Sequence, residues 1–254
     1  MKIVSWNVNG LRAVLKKGFT DWLKKEKPDL LCLQEIKARP EQVPEEHRRL
    51  PGYEMHFFPA RRPGYSGTAI FSRLKPDEVW QGIGMKEADE EGRVLALRFG
   101  NLHVLSCYYP NSQEGGRRKD VKLGFCAAIL KKLNRLRKSG QEAVVCGDYN
   151  IAHTEIDLAR PRENEENPGY FPWERQAMTE FLEAGYVDVF RRQHPAQGGH
   201  YTWWTLRANA RERNVGWRID YTCVTPGLEA RSQKSFILPD VMGSDHCPVG
   251  LLLK

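Results

Sequence analysis

Ten short apolar runs rich in β-branched residues constrain the fold of this chain more than any other feature. Each run is bounded by Gly, Pro or polar residues, a pattern that is typical of buried β-strands. The predicted strands cover residues 3–6, 29–34, 67–72, 79–83, 94–99, 102–109, 143–146, 201–204, 219–224 and 249–253. Because ten strands exceed one ordinary sheet, we predict two packed sheets.

Three stretches between these strands have the 3–4 spacing of amphipathic helices. Residues 19–23 begin the first helix, for which Thr20 is the predicted N-cap. Residues 126–136 form the second, which Gly140 closes, and residues 173–182 form the third. Helices packed outside two sheets predict an α/β sandwich.

The composition fits one globular domain that covers residues 1–254, because no repeat or flexible linker divides the chain. No run approaches the ~18 apolar residues of a membrane span. The N-terminus enters a strand pattern without a signal-peptide core, which favours a cytoplasmic location. The six cysteines include no Cys-x-x-Cys pair, so we expect neither a zinc site nor a disulfide framework.

The chain carries 39 Lys and Arg against 32 Asp and Glu, a net charge of +7. This charge permits a polyanionic partner but is also compatible with a simply basic surface. Four arginines surround the Trp203-Trp204 pair, which is the mixture of cations and aromatic rings expected beside nucleic acid. They are Arg207, Arg211, Arg213 and Arg218.

Polar side chains recur at the ends of six predicted strands. They are Asn7 and Asn9; Glu35; Tyr108 and Asn111; Asp148 and Asn150; Asp220; and Asp245 with His246. Asn and Asp favour turns, so each instance alone is explained by turn chemistry. Six together favour a functional site, because sites are commonly built from loops on a rigid scaffold.

The oxygen-rich character of this set indicates its chemistry. Glu35 and Asp245, with Asn7, are hard ligands suited to Mg²⁺ or Mn²⁺ rather than zinc. Protein-bound Mg²⁺ usually acts on phosphates. The chain has neither a phosphate-binding P-loop nor a serine nucleophile elbow. Metal-assisted hydrolysis of a phosphodiester is therefore the predicted reaction.

Acid–base roles follow from the remaining members. His246 with Asp220 predicts an oriented imidazole, positively charged when protonated, beside phosphoryl oxygens. Asp148, flanked by Asn150, is the candidate acceptor of a proton from water. Tyr108 and Asn111 are candidate donors to the phosphate.

These segments together resemble the exonuclease III family of apurinic/apyrimidinic (AP) endonucleases. The stretches that carry the resemblance are residues 5–13 (SWNVNGLRA), 33–37 (LQEIK), 64–67 (GYSG), 108–111 (YYPN), 147–153 (GDYNIAH), 214–221 (NVGWRIDY) and 243–248 (GSDHCP). They occur in the family's order along almost the whole chain, and the ordered set is far more specific than any single motif.

The resemblance implies a four-layered α/β sandwich, shared with deoxyribonuclease I, and metal-dependent incision of duplex DNA 5′ to an abasic site. It also implies 3′→5′ exonuclease and 3′-end-cleaning activity and a monomer without a membrane partner. By position, Glu35 resembles the main metal ligand, with Asn7 and Asp245 nearby, whereas the role of Asn9 is less defined. The catalytic set implied by the resemblance is Asp148, Asn150, His246, Asp220, Tyr108 and Asn111.

The resemblance also implies substrate contacts. Trp203, Trp217 and Ile219 fall where the family lines a pocket for a flipped-out sugar without a base. An abasic nucleotide is easy to extrude, and an apolar pocket can exclude an intact base. The implied DNA-contact residues are Arg12, Ala13, Lys16, Lys17, Tyr65, Asn164 and Asn167. Glu114 departs from the pattern, because relatives can place a basic residue there.

Two alternatives stay open at this point. One is another metal-dependent phosphoesterase of the same fold, which retains the catalytic residues but gives no reason for the segment 214–218 beside the pocket. The other is a basic DNA-binding protein without catalysis, in which the polar residues at the strand ends are structural.

Overall fold

The strands assemble into two six-stranded mixed sheets in the computed structural model, which describes residues 1–254. The strands are β1 (Lys2–Asn7), β2 (Leu30–Gln34), β3 (Glu54–Phe58), β4 (Thr68–Ser72), β5 (Glu78–Gln81), β6 (Val94–Phe99), β7 (Leu102–Tyr108), β8 (Glu142–Asp148), β9 (Val187–Asp188), β10 (Asp220–Val224), β11 (Ser232–Ile237) and β12 (Val249–Leu253). The α-helices are α1 (Leu11–Leu15), α2 (Phe19–Glu26), α3 (Glu45–Arg48), α4 (Lys86–Glu90), α5 (Lys119–Lys138), α6 (Pro172–Glu183) and α7 (Val189–Gln193).

Both sheets have the same internal plan. The first has the order β11-β12-β1-β2-β4-β3, and the second has the order β9-β10-β8-β7-β6-β5. In each sheet the central pair is parallel, β1 with β2 and β7 with β8, and all other pairs are antiparallel. Parallel neighbours require a crossover, which α1 and α2 provide in the first sheet and α5 provides in the second.

Alternating side chains divide the apolar residues among three buried layers. Along β1, Ile3 packs between the two sheets, whereas Val4 faces α1 and α2. Along β8, Val144 packs between the sheets, whereas Val145 faces α5 and α6. This period of two is the direct result of the pleated strand. The arrangement is helix, sheet, sheet, helix, and the predicted four-layered α/β sandwich is confirmed.

Nine of the ten predicted strands are confirmed, with ends that differ by at most two residues. The prediction for residues 201–204 is wrong, because this segment makes only isolated bridges, from Trp203 to Trp217 and to His246. The strands β3, β9 and β11 were not predicted, and all three lie at sheet edges. Edge strands are short or rich in polar residues, so they lack the apolar runs that mark buried strands.

All three predicted helices are present, as α2, α5 and α6. Thr20 is not an N-cap, because α2 begins at Phe19 and follows Gly18, whose φ is 84°. Gly140 follows the C-terminus of α5 with φ 71°, as predicted for a helix-closing glycine.

None of the helices combines the length and the apolar character that crossing a lipid bilayer requires.

Candidate active site

The sheet topology brings five polar strand ends to one edge of the sandwich. Because β1 and β2 run in parallel, Asn7 and Glu35 emerge at the same edge of the first sheet. In the second sheet Tyr108 and Asp148 are register partners at the ends of β7 and β8. The strand β10 runs antiparallel to β8 and places Asp220 opposite Asp148. The strand order therefore assembles the site.

Unusual backbone conformations turn the chain sharply at this edge. Asn9, Glu35 and Asn150 all have left-handed φ values, of 46°, 49° and 49°. Such conformations are unfavourable for residues with a Cβ atom, and they cluster at functional sites. Gly147 precedes Asp148 where β7 and β8 approach closely, since a Cβ atom there would lie 1.8 Å from the Cys107 carbonyl oxygen.

His246 is a buried imidazolium held by Asp220. Its Nδ1 atom lies 2.8 Å from Asp220 Oδ2, and only 4% of the residue is exposed. Burial lowers the pKa of His246, but the charges of Asp220, Asp148 and Asp245 outweigh it and raise the pKa to about 10. His246 is therefore positively charged at neutral pH, and its Nε2 atom lies 3.9 Å from Asp148 Oδ2.

Asp148 is the most constrained carboxylate of the site. Its Oδ1 accepts a 2.7 Å hydrogen bond from the main-chain N–H of Asn150. Its Oδ2 accepts from the side-chain amides of Asn7 and Asn150, at 2.9 and 3.0 Å. Burial raises the pKa of Asp148 to about 7, against the opposing charge of His246. A carboxylate with a pKa near 7 suits proton transfer at physiological pH.

Glu35 lies beside Asp148 and provides hard oxygen atoms for a metal. It accepts a 3.0 Å hydrogen bond from Asn7 and lies 2.7 Å from Lys37 Nζ. Burial raises the pKa of Glu35, but Lys37, Asn7 and His246 reverse this effect and lower it. One ligand atom each from Glu35, Asp148 and His246 lies within 4.8 Å of the others. The adjacent carboxylates of Glu35 and Asp148 provide hard oxygen donors that fit a divalent metal.

Asp245, the third predicted metal ligand, lies at the edge of this group and is held by other contacts. Its Oδ1 accepts from Asn9 at 2.9 Å, and its Oδ2 accepts from the Trp203 indole at 3.1 Å. Burial raises the pKa of Asp245, but the charge of His246 and these hydrogen bonds outweigh burial. The pKa of Asp245 is therefore lower than that of an ordinary aspartate. Asp245 therefore connects the metal-ligand region with the wall of the neighbouring pocket.

A cavity of about 550 Å³ opens over the polar residues. Trp203 and Trp217 form one wall, with ring centroids 6.2 Å apart and planes at 86°, and Ile219 is buried beside them. Asn111 Nδ2 donates a 3.0 Å hydrogen bond to Asn150 Oδ1 at the opposite side. The residues of the predicted site that line this cavity are Glu35, Tyr108, Asn111, Asp148, Asn150, Asn164, Asn167, Trp203, Trp217, Ile219, Asp245 and His246.

Comparisons with known proteins agree with this geometry over the whole chain. The model of the endonuclease/exonuclease/phosphatase family matches residues 4–246. The chain belongs to this family. Relatives and solved structures extend the match over the full length of this chain.

The exodeoxyribonuclease of Bacillus subtilis (strain 168) is 47% identical over 257 residues, which cover 100% of this chain and 99% of the relative. The DNA repair nuclease APEX1 of Danio rerio is 42% identical, with 100% of this chain and 82% of the relative covered. The structure of an AP endonuclease from Archaeoglobus fulgidus has a TM-score of 0.88 at 31% identity, and the match covers 100% of this chain and 99% of that one.

Membership of the endonuclease/exonuclease/phosphatase family confirms the predicted resemblance, the fold class and the prediction of a hydrolytic enzyme of the DNA repair nuclease type. Enzymes of this family depend on a divalent metal, and the adjacent carboxylates of Glu35 and Asp148, with the charged ring of His246 beside them, are a compatible binding group.

Only two of the predicted DNA-contact residues line the cavity. Asn164 and Asn167 belong to its lining. Arg12, Ala13, Lys16 and Lys17 line a separate basic depression of about 690 Å³, together with Lys37 and Gly64. Tyr65 follows Gly64, and its hydroxyl accepts hydrogen bonds from Arg93 and Arg118, at 3.3 and 3.1 Å.

Two of the four arginines predicted to lie beside nucleic acid are structural instead. Arg218 is fully buried and pairs with Asp157 at 2.7 Å and Asp188 at 2.8 Å, so it offers no charge to DNA. Arg211 donates to three main-chain carbonyls of the segment 239–244. Arg207 and Arg213 are exposed, so their charges are open to solvent.

The sequence analysis missed several charged residues at the site, among them Arg160 and Glu163 in the lining of the cavity. Lys37 pairs with Glu35, and Arg93 and Lys122 lie buried behind the catalytic turns. Lys122 occupies a core-facing position of α5, and a lysine within an apolar stripe is a recognisable signal of a buried polar contact. Arg93 directly precedes an apolar run. In the sequence, this position cannot be distinguished from that of an exposed residue before a strand.

Proposed function

We propose that this enzyme hydrolyses the DNA phosphodiester bond 5′ to an abasic site, and that Mg²⁺ is its working metal. One observation carries the proposal: the half-buried Glu35 and the buried Asp148 and His246 form a group that opens into a cavity with a wall made of Trp203 and Trp217. The polar group suits phosphate hydrolysis, and the apolar wall suits a deoxyribose that has lost its base.

The metal would be held by Glu35, with Asn7 and Asp245 nearby, and would supply positive charge to the scissile phosphate and the leaving oxygen. Asn7 donates to both Glu35 and Asp148 and so fixes the distance between the two carboxylates. Hard oxygen ligands favour Mg²⁺ over softer metals.

Asp148 is the proposed acceptor of the proton from the attacking water. The hydrogen bonds from Asn7 and Asn150 fix the orientation of its carboxylate. The raised pKa of Asp148 makes it a stronger base than an exposed aspartate.

His246 is proposed to neutralise the charge that develops on the phosphoryl oxygens. Asp220 fixes the ring through Nδ1, which leaves Nε2–H as a donor toward the site. Tyr108 and Asn111 are proposed as further donors to the phosphate. A fixed charge and fixed donors in a water-poor site need no reorganisation during the reaction.

Several wider properties belong to the same proposal. Removal of 3′-terminal nucleotides or blocking groups requires the same phosphate chemistry, so we propose exonuclease and 3′-end-cleaning activity at this site. All proposed catalytic groups come from residues 1–254, which supports a monomer that acts as one catalytic domain. The six cysteines are unpaired, which supports a reducing, intracellular location.

A duplex that contains one tetrahydrofuran abasic analogue tests the proposal. We expect a nick on the 5′ side with Mg²⁺, and no nick with chelator. Glu35→Gln, Asp148→Asn and His246→Ala should each lower the rate by about 10²–10³-fold or more. The exposed Asp77→Asn provides a control that changes the same type of charge outside the site.

Two other results would contradict the proposal. A protein that binds the duplex and leaves it intact would be a DNA-binding protein without catalysis. A protein that cleaves soluble phosphate esters but not the abasic duplex would be a different phosphoesterase of this fold.

A further inference from the structure

Arg93 is a buried cation that contacts the proposed phosphate donor Tyr108 from two directions. It lies at the start of β6, and only 1% of the residue is exposed. Its Nη1 donates a 3.0 Å hydrogen bond to the Tyr108 main-chain carbonyl. Its Cζ atom lies 4.6 Å from the centroid of the Tyr108 ring. The same side chain therefore restrains both the main chain and the ring of Tyr108.

The main chain strengthens this connection. The N–H of Tyr108 donates a 2.8 Å hydrogen bond to the carbonyl of Arg93. Gly92, just before Arg93, has φ 63° and lies so close to the first sheet that a Cβ atom there would lie 2.3 Å from the Phe58 carbonyl oxygen. The segment that carries Arg93 is thus fixed between the two sheets.

The guanidinium of Arg93 has its own half-buried counterion. Its Nε donates to Glu91, whose carboxylate also accepts from Arg118 at 2.9 Å. Both arginines donate to the Tyr65 hydroxyl, but only Arg93 contacts Tyr108. A charged side chain is costly to bury, and an ion pair alone is weak justification for it. The contacts with Tyr108 give the burial a functional reason.

We propose that Arg93 is a positioning residue that holds the Tyr108 hydroxyl in place for the substrate phosphate. The inference rests on the role of Tyr108 given under the proposed function. Arg93 itself is too deeply buried to reach DNA, so its effect on the reaction passes through Tyr108. A lysine cannot replace it, because one ammonium group cannot pair with Glu91, reach the Tyr108 carbonyl and cover the ring together.

A double-mutant cycle separates this role from a merely structural one. The single-turnover rate on the abasic duplex is measured at saturating DNA for wild type, Arg93→Lys, Tyr108→Phe and the double variant. Tyr108→Phe should lower the rate by about 10²–10³-fold, the loss typical of one transition-state donor. Arg93→Lys should lower it by about 10–100-fold, since hydrogen bonds of charged groups contribute about 1.5–3 kcal/mol.

The decisive comparison is made in the Tyr108→Phe background. There, Arg93→Lys should change the rate by less than about twofold, because the hydroxyl that Arg93 positions is already absent. KM should change little, since Arg93 does not face the substrate. An equal loss from Arg93→Lys in both backgrounds would overturn the inference.

Arg118→Lys is the matched control, because Arg118 shares Glu91 and Tyr65 but makes no contact with Tyr108. Its effect should be the same with Tyr108 or Phe at position 108. Coupling of Arg118 to Tyr108 as strong as that of Arg93 would assign the effect to the whole ion-pair network and overturn the specific role.

Two further measurements keep the outcome decisive. Arg93→Met removes the charge and should lower the single-turnover rate as Arg93→Lys does, but only when Tyr108 is present. Urea unfolding of each variant identifies any that fail to fold. Incision by the wild-type enzyme tests the proposed function independently of Arg93. If the wild type incises normally and Tyr108→Phe retains its full rate, the positioning role is wrong while the proposed function stands.

Discussion

The replacement Asp220→Asn tests whether His246 acts as a permanently charged group. In the wild-type protein, burial lowers the pKa of His246 and the neighbouring carboxylates raise it from 6.5 to about 10. Asp220 is the largest of the raising influences, and it lies 2.8 Å from the ring nitrogen.

Removal of the Asp220 charge should lower the His246 pKa by about 2 units, the usual effect of an adjacent opposite charge. His246 would then lose its proton above about pH 8 instead of about pH 10. Each pH unit above this point makes a tenfold smaller fraction of the variant active. The ratio of wild-type to variant rate should therefore rise about fivefold between pH 8 and pH 9, and about tenfold between pH 8 and pH 9.5.

The rise of the incision rate on the acid side of the pH profile should also move to lower pH in the Asp220→Asn variant. Asp220 also contributes to the raised pKa of Asp148, which is about 7. Wild-type activity should rise with pH through about 7 as Asp148 loses its proton. The variant should reach its plateau at a lower pH, because one of the repelling negative charges is gone.

The assay is single-turnover incision of the abasic duplex at saturating Mg²⁺ from pH 6 to 9.5, with Asp77→Asn as the control. For the control, the ratio to wild type should stay near one at every pH. A ratio for Asp220→Asn that is large but independent of pH would refute the reasoning, since it would show that Asp220 orients the ring without setting its charge.

Three further results are expected. Asp157→Asn should destabilise the protein at pH 7 by roughly 2 kcal/mol, because two arginines overcome the effect of burial and lower the Asp157 pKa from 3.8 to about 2. This difference in urea unfolding should be complete above pH 4 and shrink as the pH falls toward 2, and a difference independent of pH would contradict the ion-pair account. Glu35→Gln should raise the Mg²⁺ concentration needed for half-maximal incision by at least about tenfold, and an unchanged metal titration would exclude Glu35 as the main ligand. Trp217→Ala should reduce the preference for abasic over intact duplex, measured as the ratio of incision rates, and an unchanged ratio would show that this wall does not select the substrate.

The central strands could be predicted from the sequence because buried strands carry continuous apolar runs. Val94–Phe99 and Val249–Leu253 have the predicted boundaries. The edge strands Glu54–Phe58 and Ser232–Ile237 could not be found in this way, since their outer face meets solvent and polar residues interrupt the pattern. The segment 201–204 is as apolar as a strand, but Trp203 lines the cavity and Trp204 packs in a small separate apolar cluster.

For the active site, the sequence supplied the residue types and the tertiary structure supplied their relationships. Three of the six motifs placed Glu35, Asp148 and His246 at strand ends, and the topology brought one ligand atom of each within 4.8 Å of the others. The charge state of His246 could not be read from the sequence. It depends on Asp220, 26 residues away, and on a degree of burial that only packing creates.

The two buried arginines show the same difference between what the sequence reveals and what only the structure reveals. Arg218 looked like a DNA contact because charge is visible in a sequence and burial is not, and the structure pairs it with two aspartates instead. Arg93 attracted no attention in the sequence, and the structure places it against Tyr108. The sequence determined the pattern of strands and the chemical groups available at their ends. Only the packing of two sheets decided which charges lost water and which partners compensated them, because desolvation depends on all neighbours in space.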